Sequence, residues 1–340
     1  MSATPHRTDI AIIGAGPVGL FGVFECGMLR MRCHVIDALG VPGGQCAALY
    51  PEKPIYDIPG FPVIEASALV DRLEEQARPF EPVYHLGQRV ETLTPRDGGG
   101  WRLETSTGTR IDARAIVIAA GVGAFGPNRP PLAGIEGYEG ASVHYLVKRR
   151  EDFRGKRVVI AGGGDSALDW AIILADIADQ VMVVHRRAKF RGAPDSVAKL
   201  HALADAGRVE LVVPYQLAGL DGDGTRLSAV IVATLDGDRR RLEADALLPF
   251  FGLSMNLGPI AEWGLNLDHN HIVIDPSTSA TNVPGIYAIG DIASYPNKLK
   301  LILSGFAEAA MAAHNMFPLV HAGEVLHFEY STTKGIPSAA

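Results

Sequence analysis

Two glycine-rich turns, GAGPVGL from Gly14 to Leu20 and AGGGDSALDW from Ala161 to Trp170, constrain this chain more than any other feature. Each follows a short apolar run, TDIAIIG before the first and KRVVIA before the second. Each opens onto a helix-like stretch, VGLFGVFECGMLRM and DSALDWAIILADIA. Strand, tight turn and helix in that order is the setting in which backbone amides at a helix start cradle a pyrophosphate. In the first turn Gly14 permits the tight bend, Gly16 lets the backbone approach the phosphates, Pro17 follows, and Gly19 allows close helix packing. The second turn takes the GxGxxA form through Gly162, Gly164 and Ala167, with Asp165 and Ser166 between them.

The residues at the end of each second strand separate the two units. RCHVID ends at Asp37, an acid placed to hold ribose hydroxyls. QVMVVHRR ends in His185, Arg186 and Arg187, with Lys189 and Arg191 close behind. A carboxylate there would repel a 2'-phosphate, whereas guanidinium groups grip one with charge-assisted hydrogen bonds. The first site therefore suits a nucleotide with a free ribose, such as FAD, and the second suits NADP over NAD. A solvated basic surface is the other reading of HRRAKFR.

A chain of 340 residues exceeds the size at which a single core stops growing, so two domains are expected. With 31 basic and 38 acidic residues the net charge of -7 argues against a nucleic-acid-binding protein. The N-terminal residues carry no charged region followed by a long apolar run, and no apolar run reaches membrane-spanning length. No membrane association and a cytoplasmic location are the expectation. Cys26, Cys33 and Cys46 show no CxxC or metal-ligand spacing, which points to reduced, buried thiols and no metal.

Two later strands indicate a split first domain. ARAIVIAAG, Ala113 to Gly121, ends in a small-residue turn, and VPGIYAIGD, Val283 to Asp291, ends in Gly290 and Asp291 ahead of a long helix pattern. A helix N-terminus there would offer amides to an electron-rich ring edge, although Asp291 also suits a plain N-cap. Antiparallel excursions are expected at VETLTPRDGGGWRLETSTGTRIDA and LAGLDGDGTRLSAVIVATLDGDRRRLEA. The resulting α/β architecture has two Rossmann-like, three-layer nucleotide-binding domains. Residues 1–122 and 254–340 form the split FAD domain, and 123–253 the inserted NADPH domain.

GAGPVGL, GGQCAALYPEKPIYDIPGFP, the AAG turn, GGGDSALD, HRRAKFR and VPGIYAIGD, in this order, resemble the flavin disulfide reductase superfamily in its compact thioredoxin-reductase form. The resemblance spans nearly the whole chain and implies FAD and NADPH. It breaks where that form carries its CxxC: Tyr145 and Lys148 stand there, so a dithiol relay is absent. Cys46, in GGQCAALY, is either a thiol able to form a flavin adduct or a buried inert one.

The segment His327 to Ala340 resembles the extension of the thioredoxin-reductase-like ferredoxin–NADP reductases. By that resemblance Tyr330 stacks on the flavin, Ser331 and Thr332 contact it, and Tyr50 stacks on the opposite face. On the same basis Gln45 and Phe125 are flavin contacts and the backbone of Val90 meets the adenine, core packing being the other reading of Phe125 and Val90. No catalytic acid or base is implied. The activity implied is electron transfer between NADP(H) and ferredoxin or flavodoxin, by hydride exchange at flavin N5 and single-electron steps in either direction. Hydride reach then requires Tyr330 to move aside, helped by rotation of the inserted domain. A homodimer is implied as well.

Lys148, Arg149, Arg150, Arg154, Lys156 and Arg157 form a basic stretch that either steers an acidic carrier or is a solvated loop. Competing readings are a low-molecular-weight disulfide reductase using Cys46, a flavin monooxygenase, and a non-catalytic redox-sensing nucleotide-binding protein.

Overall fold

The structure, a computed structural model, describes residues 4–327, 332 and 335–337. The chain divides into two compact units, Met1–Phe125 with Met255–Ala340, and Gly126–Ser254.

The first unit is organised by a five-stranded parallel sheet. Ile10–Ile13 lies between Ala115–Ile118 and Cys33–Ile36, with Ile286–Ala288 and Val83–His85 at the edges. The three inner strands are buried at every residue, as continuous apolar runs covered on both faces must be. On one face the helices Pro17–Met28 and Ile302–Val320 pack Val23, Cys26, Ala309, Ala313 and Met316 against Ile10 and Ile12. On the other, Ala11, Ile13 and Ile36 meet Leu103 and Ile111 of an antiparallel layer, Val90–Pro95, Trp101–Thr105 and Arg110–Ala113. Complete burial of a side chain such as Ile10 or Ile12 is worth about 1.5–3 kcal/mol, so these strands anchor the unit. Ile116 pairs with Ile286 although the whole second unit lies between them in sequence. That pairing is what splits the first unit.

The second unit repeats the theme. Arg157–Ala161 lies between Gln180–Val184 and Ala246–Pro249, with Val209–Val212 beyond, all parallel. A three-stranded antiparallel sheet, Gln216–Gly222, Leu227–Ala233 and Arg239–Glu243, adds Val230 and Val232 to the core under Val159 and Met182. Among the described residues no helix is long and apolar enough to cross a membrane.

Candidate functional site

The first glycine turn is built as its spacing predicts. Gly14 has φ +113°, and a Cβ there would stand 2.3 Å from the Ala119 carbonyl oxygen. A Cβ on Gly19 would meet the Gly14 carbonyl at 2.0 Å, so both positions exclude a side chain. Gly16 differs: the nearest atom to its imagined Cβ is Gly44 Cα at 4.0 Å, and the residue lines a cavity of about 350 Å³. Its openness is a cradle for a ligand, which a side chain would fill. Pro17 starts the helix at a position that needs no amide donor.

Asp37 lines this cavity. Its carboxylate accepts the Ala15 amide at 2.6 Å and the Leu39 amide at 2.8 Å, tying the end of the second strand to the glycine turn. Burial pushes its pKa up, and the two amides oppose that shift. A carboxylate has about four acceptor positions, so ribose hydroxyls find room on the same group. Val90 lines the cavity from the antiparallel layer.

Gln45, Cys46, Tyr50 and Asp291 line the cavity too, the last three close enough to act on one another. Gln45 reaches Gly121, where a Cβ would sit 3.4 Å from its Nε2. Burial pushes the Cys46 thiol up to about 11, with Tyr50 Oη 4.0 Å from its sulfur, and drives the Tyr50 phenol up further still. A thiol so held stays protonated at neutral pH and is a poor nucleophile. Asp291 is also raised by burial, opposed first by Lys298 and Lys300. It caps no long helix: Gly290–Ile292 is a short 3-10 turn, Pro296 and Asn297 interrupt the chain, and the helix begins at Ile302. Ile302 lines the cavity, and no side chain caps that helix start.

The cavity wall also contains Leu257, Pro259, Ile260 and Trp263, which sequence reasoning passed over. They come from the short 3-10 segment Gly258–Glu262 and its flanks, which carry no motif.

At the second turn Gly162 sits against Phe250, a Cβ meeting that carbonyl at 2.7 Å, while Gly164 has nothing within 4 Å and no side chain caps the helix Asp165–Leu174. Gly163 must be glycine, because a Cβ would lie 2.4 Å from the His185 ring. His185 therefore packs over the turn and stacks on Phe190 with ring centroids 5.4 Å apart. Its Nε2 is buried without a hydrogen-bond partner among the described residues. Burial and then Arg191, Arg186 and Arg187 hold its pKa down. Arg186, Arg187 and Arg191 are exposed and make no ion pair among the described residues. Asp165 accepts the Ala193 amide at 2.8 Å, and Arg191 N–H donates to Gly163 O at 2.7 Å, so the basic loop is fastened to the glycine turn. Ser166 is exposed at the helix start and Ala167 is buried.

Tyr145 is a partly buried phenol donating to Glu139 at 2.7 Å, and Lys148 is exposed. Burial and Glu139 push the phenol up to about 12. The basic stretch is largely self-paired: Arg154 forks onto Glu151, Arg157 onto Asp245, and Lys156 lies 5.7 Å from the Phe153 ring centroid. Tyr330, Ser331 and the side chain of Phe125 lie outside the described residues, and Thr332 is exposed.

Residues 8–316 match the family described as pyridine nucleotide-disulphide oxidoreductase. The chain is 64% identical over 332 residues to a ferredoxin–NADP reductase of Paramagnetospirillum magneticum, covering 98% of each. It is 61% identical over 338 residues to one of Rhodospirillum rubrum, again covering 98% of each. Among solved structures it resembles the thioredoxin reductase of T. acidophilum with a TM-score of 0.80 at 24% identity, covering 92% of this chain and 98% of that one, a likeness of fold.

Proposed function

The chain belongs to the pyridine nucleotide-disulphide oxidoreductase family, and from that premise we propose that it acts as a ferredoxin–NADP reductase. It is an FAD-dependent oxidoreductase using NADP(H). The observation that carries the reading is a nucleotide cavity whose one thiol, Cys46, is buried and held protonated, with Tyr145 and Lys148 where a dithiol would stand. Nearly full-length relatives bearing the reductase name support it.

FAD, when bound, supplies the exchange between a two-electron hydride and single electrons. The protein's part is binding, orientation and exclusion of water. Gly14, Gly16, Pro17 and Gly19 present the pyrophosphate cradle, and Asp37 accepts ribose hydroxyls. Gln45, Tyr50, Phe125 and Asp291 frame the ring, and the Val90 backbone meets the adenine. In the second unit Gly162, Gly164, Asp165, Ser166 and Ala167 present helix-start amides to the NADPH pyrophosphate. Arg186, Arg187 and Arg191 hold its 2'-phosphate, and His185, whose Nε2 has no hydrogen-bond partner among the described residues, packs over the turn beside them. Tyr330, Ser331 and Thr332 complete the flavin site by resemblance, and deletion of residues 327–340 is expected to alter hydride transfer. The carrier is ferredoxin, with flavodoxin as a second acceptor. The reading takes the chain as a cytoplasmic homodimer, which sedimentation of the holoprotein checks.

Anaerobic stopped-flow mixing tests the function. NADPH is expected to bleach the flavin well ahead of NADH, and ferredoxin or flavodoxin to restore its colour. A flavin that NADPH leaves oxidised would sink the proposal. Cys46→Ser is expected to retain turnover; its loss would favour a disulfide reductase.

A further inference from the structure

Glu308 is the sole acidic residue of the helix Ile302–Val320, and it is buried among alanines. Its Oε2 accepts the Gly290 backbone N–H at 2.8 Å. Its Oε1 accepts the Tyr295 hydroxyl at 2.8 Å and the Lys298 ammonium. The Lys298 and Glu308 side chains are 5% and 6% exposed. A buried charge pair is costly unless its remaining hydrogen-bonding positions are answered, and here both carboxylate oxygens face donors.

The turn that Glu308 holds is tightly seated. Gly290 has φ +76°, with the Val18 methyls 3.5 Å from an imagined Cβ. A Cβ on Gly305 would lie 3.2 Å from Gly290 Cα, so this glycine lets the helix reach the turn. The next residue, Asp291, lines the cavity with Gln45 and Tyr50. The charges acting on Asp291 are those of Lys298, Lys300, Glu308 and His271. Lys300 itself lies 2.6 Å from His271 Nε2.

We propose that Glu308 is a positioning residue: through the Gly290 amide it fixes the Gly290–Asp291 turn at the ring end of the cavity, and with Lys298 it sets the charge a bound flavin meets there. The proposal rests on the reading of this cavity as the FAD site. A carboxylate is needed because glutamine has one acceptor oxygen and one donor NH2. With its oxygen on Gly290 N–H, its NH2 faces the Lys298 ammonium; reversed, its NH2 faces the Gly290 N–H. In either pose a donor meets a donor. Glu308→Gln also leaves the Lys298 charge uncompensated next to Asp291, which favours a more negatively charged flavin. Lys298→Met does the opposite by leaving the carboxylate alone. Combining the two lets the glutamine oxygen accept from Gly290 while its NH2 donates to the Tyr295 oxygen, with no net charge.

The test measures the flavin midpoint potential by spectroelectrochemical titration and FAD dissociation by fluorescence in the wild-type holoprotein, E308Q, K298M and K298M/E308Q. The expected pattern is a raised potential with about tenfold weaker FAD binding in E308Q, since the Gly290–Asp291 turn loses its anchor. K298M should show a lowered potential, and the double variant should return towards wild type on both readouts. If E308Q does not fold, K298M against the double variant carries the same test. Potentials that stay put, or move in one direction in both single variants, while FAD remains bound would overturn the positioning role. A wild-type chain that takes up no FAD would overturn the reading of the cavity instead.

Discussion

The two glycine turns share strand, bend and helix, yet each is fastened by a carboxylate from the opposite side. In the first unit Asp37, at the end of the second strand, reaches back to the Ala15 amide inside the turn. In the second unit Asp165, at the start of the helix, reaches forward to the Ala193 amide beyond the basic loop. Moving the acid off the strand end leaves that end to Arg186 and Arg187, and the His185 ring packs over Gly163. Under the proposed function, one arrangement would present a carboxylate to a ribose and the other guanidinium groups to a phosphate. On the proposed reading, nucleotide choice follows from where the turn keeps its negative charge.

Breaking the first fastening should have the largest effect. Asp37→Ala removes two carboxylate-to-amide bonds, each worth roughly 1.5–3 kcal/mol, so FAD affinity should fall about 100-fold or more. Absorbance of the purified flavoprotein and FAD titration check this, and a variant that keeps its flavin would contradict it. Next, Arg186→Ala with Arg187→Ala should raise the NADPH KM roughly 30-fold while leaving that for NADH unchanged, because only the 2'-phosphate is lost as a partner. Equal losses with both nucleotides would show that these arginines do not read the phosphate. Asp165→Ala should be milder, a NADPH KM about fivefold higher with FAD content intact, since one exposed hydrogen bond is worth about 1 kcal/mol.

The smallest effect compares histidines at corresponding strands. His34, on the second strand of the first unit, is pushed down to about 4 by burial and by His85 at 2.9 Å. His185, just after the equivalent strand, is also depressed. A depressed pKa contributes stability above the unfolded value of about 6.5 and loses it as pH falls towards the folded one. Melting temperature should therefore decline from pH 6.5 to 4, and His34→Asn should flatten that slope whatever it does to the height. An unchanged slope would remove His34 as its source.

The parallel strands were legible because continuous apolar runs such as IAII and AIVI admit few other placements, and the glycine spacings fixed both turns. The antiparallel layers announced themselves by alternation around glycine turns. Gly163 was passed over because its need arises from the His185 ring, 22 residues on in sequence. Leu257 to Trp263 carry no motif and reach the cavity through tertiary packing alone. The helix start was misplaced towards Asp291: Pro296 fixes its own φ and Asn297 adopts φ +63°, which delays the helix to Ile302. The Glu308 network draws on four residues across two turns and a helix, with no period to reveal it, although a lone acid in an alanine-rich helix was a visible signal.

The central claim is that electrons pass from NADPH to a one-electron carrier without a thiol step. Anaerobic NADPH oxidation by the Cys46→Ser holoprotein, with ferredoxin or with oxidised thioredoxin as acceptor, tests it most directly. Wild-type rates with ferredoxin, and none above background with thioredoxin, are the predicted result. Turnover with thioredoxin in the wild type that Cys46→Ser abolishes, with ferredoxin inert in both, would contradict it.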